Sequence, residues 1–175
     1  MKRDKNDLAV YLPTPPEVVK CMLDIADVGP ADTLYDLGFG DGRILFSAVK
    51  PPYNARAVGI ELNTRRFNRV KACVRELGLE RRIEVLHGDI LDFDIGDATA
   101  VTVYLTPRGN RAVKPMLESQ LESDARVVSH DFEFKGWKPT KVQPLTTYRS
   151  METPIGYLGI ENTHRIYLYE MDRIL

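Results

Sequence analysis

Three carboxylates and a run of alternate glycines carry the clearest chemistry in the chain. Asp36 precedes Gly38, Gly40 and Gly42, with Asp41 between the last two. Glycines at every second position let backbone N–H groups approach a ligand with no Cβ in the way. The pattern differs from the dinucleotide fingerprint, whose third glycine comes one residue later. A carboxylate just ahead of the turn would repel a pyrophosphate and attract an ammonium. Glu61 can accept hydrogen bonds from both hydroxyls of a ribose, with Leu62 beside it. Asp89 can accept from the exocyclic amine of an adenine, with Ile90 packed on the ring.

These groups act together only if the chain sets them along one edge. Residues 32–37 read as a buried strand, 38–42 as the turn and 41–50 as a helix. A second strand covers 55–61. Asn63 or Thr64 caps the next helix, whose apolar stripe is Phe67, Val70, Val74 and Leu77, with Gly78 at its end. A third strand runs over 82–87, and 98–105 reads as a strand buried on both faces. A loop at 106–110 leads to a helix at 112–121, with Pro115 early in it. Strand five is 125–131, a short edge strand covers 141–145 between prolines, 148–163 is a loop, and 164–171 closes the chain. Upstream, Thr14 can cap a helix with Pro15 in its first turn and Glu17 following. Alternatively Thr14 serves the ligand, as part of a segment, 1–30, that covers its amino-acid end.

The order gives an α/β fold: a doubly wound seven-stranded sheet, mostly parallel, last strand antiparallel, in a single domain over 1–175. The three acids then stand at the carboxyl ends of successive strands, where such sheets bind ligands. A nucleoside with an amino-acid end and no phosphate satisfies all of them, and S-adenosylmethionine is such a compound.

Bulk properties narrow the class. At 43% hydrophobic and 28% charged, with net charge −1, the composition is that of a globular domain without the basic excess of a nucleic-acid binder. No apolar run approaches bilayer thickness, and the charged start, Met1 to Asp7, is not a signal peptide. Cys21 and Cys73 read as reduced residues, which fits a cytoplasmic protein. His87, His130 and His164 are too scattered in sequence to announce a metal site, and none is expected.

The chain is identified as resembling the class I S-adenosylmethionine-dependent methyltransferases on Asp36-Leu37-Gly38-x-Gly40-Asp41-Gly42, Gly59-Ile60-Glu61 and Gly88-Asp89. Further stretches carry a narrower resemblance: Leu12-Pro13-Thr14-Pro15, Val103-Tyr104-Leu105-x-Pro107, and Val127 to Phe132 followed by Gly136-Trp137-x-Pro139. These are similar to protein lysine methyltransferases of archaeal type and their mitochondrial eukaryotic relatives. The resemblance implies methyl transfer to lysines exposed on protein substrates by a monomer. Nucleic acid is the disfavoured acceptor, and a non-catalytic cofactor-binding protein is the other alternative.

Methyl transfer is an in-line displacement on a sulfonium, so the protein chiefly positions and desolvates. Tyr104 and Thr106, flanking Leu105, are expected to form the catalytic rim, with Tyr104 also touching the cofactor. Pro107, His130 and Trp137 are expected to shape the acceptor side. Thr14, Asp36, Gly38, Gly40, Asp41, Gly42, Glu61, Leu62, Asp89 and Ile90 make up the expected cofactor set. Ser129-His130-Asp131 is not read as a nucleophilic triad, because adjacent strand residues face opposite ways.

Overall fold

Strand β1 (Thr33–Leu37) is the axis of the molecule: four of its five residues are buried, and it pairs in parallel on both sides. A computed structural model describes residues 12–153 and 156–174, with side chains outside 149–158. Beside β1 lie β2 (Arg56–Glu61) and then β3 (Ile83–His87); on its other side lie β4 (Ala100–Val103) and β5 (Arg126–His130). The sheet order is β3-β2-β1-β4-β5-β7-β6, with β6 (Lys141–Thr153) and β7 (Gly156–Glu170) as the final pair. Successive strands leave β1 in opposite directions, so a crevice opens at the carboxyl ends of β1 and β4.

Helices cover both faces. On one, α1 (Pro16–Ile25), α2 (Arg43–Ala48) and α3 (Thr64–Glu76) bury Val18, Met22, Leu45, Val70 and Val74. On the other, α4 (Pro107–Gln120) buries Val113 and Leu117 with Phe134, Trp137 and Tyr169. The doubly wound seven-stranded sheet matches the sequence reading, and the antiparallel strand is β7.

Four local expectations are corrected. Thr14 does not cap α1: the N-cap is Pro15, with no side-chain bond. Leu77 is exposed rather than part of the α3 stripe, because the helix ends there and Gly78 takes the left-handed conformation. Residues 106–110 are not a loop; Thr106 caps α4, accepting from the Gly109 N–H at 3.1 Å, and Pro107 opens the first turn where its missing N–H is harmless. Pro115 lies within the helix instead of near its start.

Nor is 148–163 a loop. Strands β6 and β7 pair from Lys141↔Leu168 out to Thr153↔Gly156, whereas β5 stops on β7 at His130↔Ile166. The hairpin therefore runs on beyond the carboxyl edge of the sheet. Threonine and tyrosine suit a two-stranded ribbon, but their polarity made the segment read as turn.

Thr106→Ala is expected to cost about 1 kcal/mol through the lost cap, and Thr106→Ser to restore it; thermal unfolding of both variants checks this.

Candidate functional site

The turn after β1 is built around Glu61. Gly40 has φ 59°, and its N–H donates to Glu61 Oε2 at 3.0 Å. Glu61 Oε1 accepts from the Asn63 N–H at 2.7 Å and from Arg66 Nη2 at 3.2 Å. The residue is only 4% exposed. It thus joins the glycine turn to the start of α3 while its carboxylate lines the crevice. Gly42 serves the fold instead. It caps α2 at φ 78°, and a Cβ there would lie 2.9 Å from Val70 Cγ1. Its glycine requirement comes from packing, away from the crevice.

Asp36 is buried on the neighbouring strand end and accepts from Thr102 Oγ1 at 3.0 Å. Burial pushes its carboxyl up to about 7; the Thr102 bond opposes this, and the charges of Glu61 and Asp41 add to it. A buried acid so placed favours a cationic group as its partner. Asp41 is held by Arg43, whose Nε donates at 2.9 Å, and Arg43 Nη1 also reaches the Thr14 carbonyl. The segment ahead of α1 is thereby drawn across the glycine turn. Asp89 Oδ1 caps the short 3-10 turn at Ile90–Asp92 through the Leu91 N–H at 3.2 Å.

These residues surround a cavity of about 310 Å³, of small-ligand size. Thr14, Asp36, Gly38, Gly40, Asp41, Glu61, Leu62, Asp89, Ile90 and Tyr104 all line it. Arg43 and Arg66 also line it and were missed in the sequence. Arg66 sits on α3 with Arg65, Arg69 and Lys71, a grouping that on a helix ordinarily marks a solvated face, so only its pairing with Glu61 in the fold singles it out. Phe39, bulky for this turn, turns its ring under Gly59, where a Cβ would meet it at 2.6 Å.

Gly42, Thr106, Pro107, His130 and Trp137 do not line this cavity. Trp137 packs between Phe134 and Tyr169 and donates to Glu118 Oε1 at 2.8 Å. Pro107 borders a second cavity of about 470 Å³, together with Asp131 and Arg165. His130 is fully buried beneath Tyr104, ring centroids 3.9 Å apart. Tyr104 therefore bridges the two regions: it lines the first cavity, and its hydroxyl donates to Asp131 Oδ2 at 3.4 Å. Burial, then the charge and hydrogen bond of Asp131, push the Tyr104 hydroxyl up, so it stays protonated. Burial holds His130 down at about 4 despite Asp131, with His164 lowering it too.

His130 and His164, distant in sequence, are brought together by the β5–β7 pairing, with His130 Nε2 3.0 Å from His164 Nδ1. Asp131 joins them because the strand has ended: its φ of 60° turns the carboxylate back toward the imidazoles. Ser129 turns elsewhere, donating to the Phe132 carbonyl, so no nucleophilic triad forms.

A glycine corner with acids on three successive strand ends defines the fold and crevice of the class I methyltransferases. The chain belongs to the ANTKMT methyltransferase domain family, whose model matches residues 36–141. A protein-lysine N-methyltransferase of Saccharolobus islandicus is 43% identical over 132 residues, 75% of this chain and 82% of that protein. The adenine nucleotide translocase lysine N-methyltransferase of Mus musculus is 29% identical over 65% of this chain, which spans only 49% of it. A crystal structure described as an RNA methyltransferase from Salinibacter ruber, in complex with S-adenosyl-L-homocysteine, superposes with TM-score 0.75 at 36% identity, covering 91% of this chain and 94% of that one.

Proposed function

We propose that the protein transfers the methyl group of S-adenosylmethionine to the side-chain amine of lysines in proteins, with Asp36, Glu61 and Asp89 holding the cofactor. The observation that carries this reading is the acid-lined cavity that ends at Tyr104; the 43% identity to a protein-lysine N-methyltransferase supports the acceptor. Asp36 would take the ammonium, Glu61 the ribose and Asp89 the adenine amine. The lysine nitrogen attacks the methyl carbon as the carbon–sulfur bond breaks, releasing S-adenosylhomocysteine. The amine must first lose its proton, which costs about 4–5 kcal/mol at pH 7. A dry approach beside the sulfonium lowers that cost by burial and like-charge repulsion.

Tyr104 offers the incoming ammonium a ring face and a hydroxyl backed by Asp131. Tyr104→Ala is expected to cut kcat roughly 100-fold with a much smaller loss of cofactor affinity, and Tyr104→Phe to fall between the parent protein and Tyr104→Ala. Unchanged turnover in both variants would remove Tyr104 from the mechanism. With Cys21 and Cys73 both free and no helix among the described residues long and apolar enough to cross a membrane, we assign the protein to the cytoplasm.

A second reading, methylation of RNA, draws on the description of the Salinibacter ruber structure. Radiolabelled cofactor added to a cell lysate separates the two. Label in protein that survives nuclease and appears as methyl-lysine supports the first; label lost to nuclease supports the second.

A further inference from the structure

We propose that His130, Asp131 and His164 form a binding site for a divalent first-row transition ion of the zinc type, beside the cofactor cavity and distinct from it. Three atoms converge: His130 Nε2, His164 Nδ1 and Asp131 Oδ2. Their separations are 3.0 Å between the two nitrogens, and 3.3 and 3.6 Å from those nitrogens to the carboxylate oxygen. Tetrahedral zinc with bonds near 2.0–2.1 Å holds its donors about 3.3–3.4 Å apart. The observed triangle straddles that spacing, so an ion fits with little movement of the ligands.

Without an ion, one proton on His130 Nε2 holds the cluster together, and an ion would take that proton's place. His164 Nε2 lies 3.1 Å from Thr147 Oγ1. In the tautomer that donates to Thr147, His164 Nδ1 is a lone pair that accepts from the His130 Nε2–H at 3.0 Å. It then faces a carboxylate oxygen, another acceptor, across 3.6 Å. Once the His130 proton leaves Nε2, two imidazole lone pairs and a carboxylate oxygen converge, which suits a cation, and the Thr147 contact is the outer support that ligating histidines ordinarily have.

His130 is the weaker ligand. Binding through Nε2 moves its proton to Nδ1, which is buried with no hydrogen-bond partner among the described residues. The site is therefore weaker than a closed structural zinc site. Its fourth position is open: Asp131 borders the second cavity, which gives the ion an entry path and room for a water. Since the ligands come from β5, its end and β7, the ion would pin the long hairpin to the sheet. It would also fix the ring and carboxylate against which Tyr104 rests.

The test is calorimetric titration of zinc chloride into untagged protein stripped with chelator. One equivalent is expected to bind and to raise the melting temperature. His164→Ala and Asp131→Asn are expected to weaken binding at least about tenfold and to abolish that rise. Melting curves of both variants without metal establish that they are folded; Asn keeps the left-handed backbone available at 131. Absence of binding to the parent protein, or equal binding by the variants, as at His87 or the cysteines, would overturn the proposal.

Discussion

Asp36→Asn is expected to stabilise the ligand-free protein at pH 8, to do so by less than half as much at pH 5 and hardly at all at pH 3, and to weaken cofactor binding about 10–100-fold through loss of a charge-assisted bond. In the folded chain Asp36 keeps its proton up to about pH 7, against an ordinary 3.8. Between those values the folded state binds more protons than the unfolded state. Stability therefore falls as pH rises through that window, then levels off above pH 7. The ionised acid costs at most about 4 kcal/mol, and Asn removes that cost while still accepting from Thr102. A cationic ammonium removes it differently, by pairing with the ionised form. Cofactor affinity of the parent protein should accordingly rise from pH 6 to pH 8, while that of the variant stays flat. Titration calorimetry at both pH values measures this; a flat profile in the parent protein would detach Asp36 from the ammonium.

Glu61→Ala carries the second large effect, and here binding and stability fall together. The substitution strands the Gly40 and Asn63 N–H groups and removes one partner of Arg66. The Arg66 side chain is 34% exposed, so the cost comes chiefly from the two stranded N–H groups, about 1–3 kcal/mol each, and the glycine turn loses the anchor that sets its shape. Cofactor binding should drop below detection. Glu61→Gln keeps the shape and loses the charge, so it should fall between the two. Unchanged affinity in Glu61→Ala would end the ribose assignment.

The lining of the cavity was legible because each part is local: an acid, a glycine turn or a strand end, repeated at the start of each crossover. Asp36, Glu61 and Asp89 could be placed by counting strands. The acceptor side was less legible. Thr106 read as rim because it follows the end of the central strand, whereas Thr106 and Pro107 together start α4. Trp137, the chain's only tryptophan, read as a recognition residue but fills the core against Tyr169. The His130–His164 pair could not be read from spacing at all, because it depends on the register between two antiparallel strands. Arg43 was hidden for the opposite reason: it lies inside the motif, yet its partner Thr14 lies beyond α1.

The grip of Arg43 on the Thr14 carbonyl bears on turnover. Helix α1 is anchored by Val18, Val19, Met22 and Leu23, so residues 12–15, rather than the helix, are expected to give way when the crevice opens. Undoing the Arg43–Thr14 bond costs roughly 1.5–3 kcal/mol, a barrier that rapid opening crosses easily. Spent cofactor can then leave and fresh cofactor enter without disturbing the sheet, and the arginine, still paired with Asp41, is poised to close the door behind each arrival.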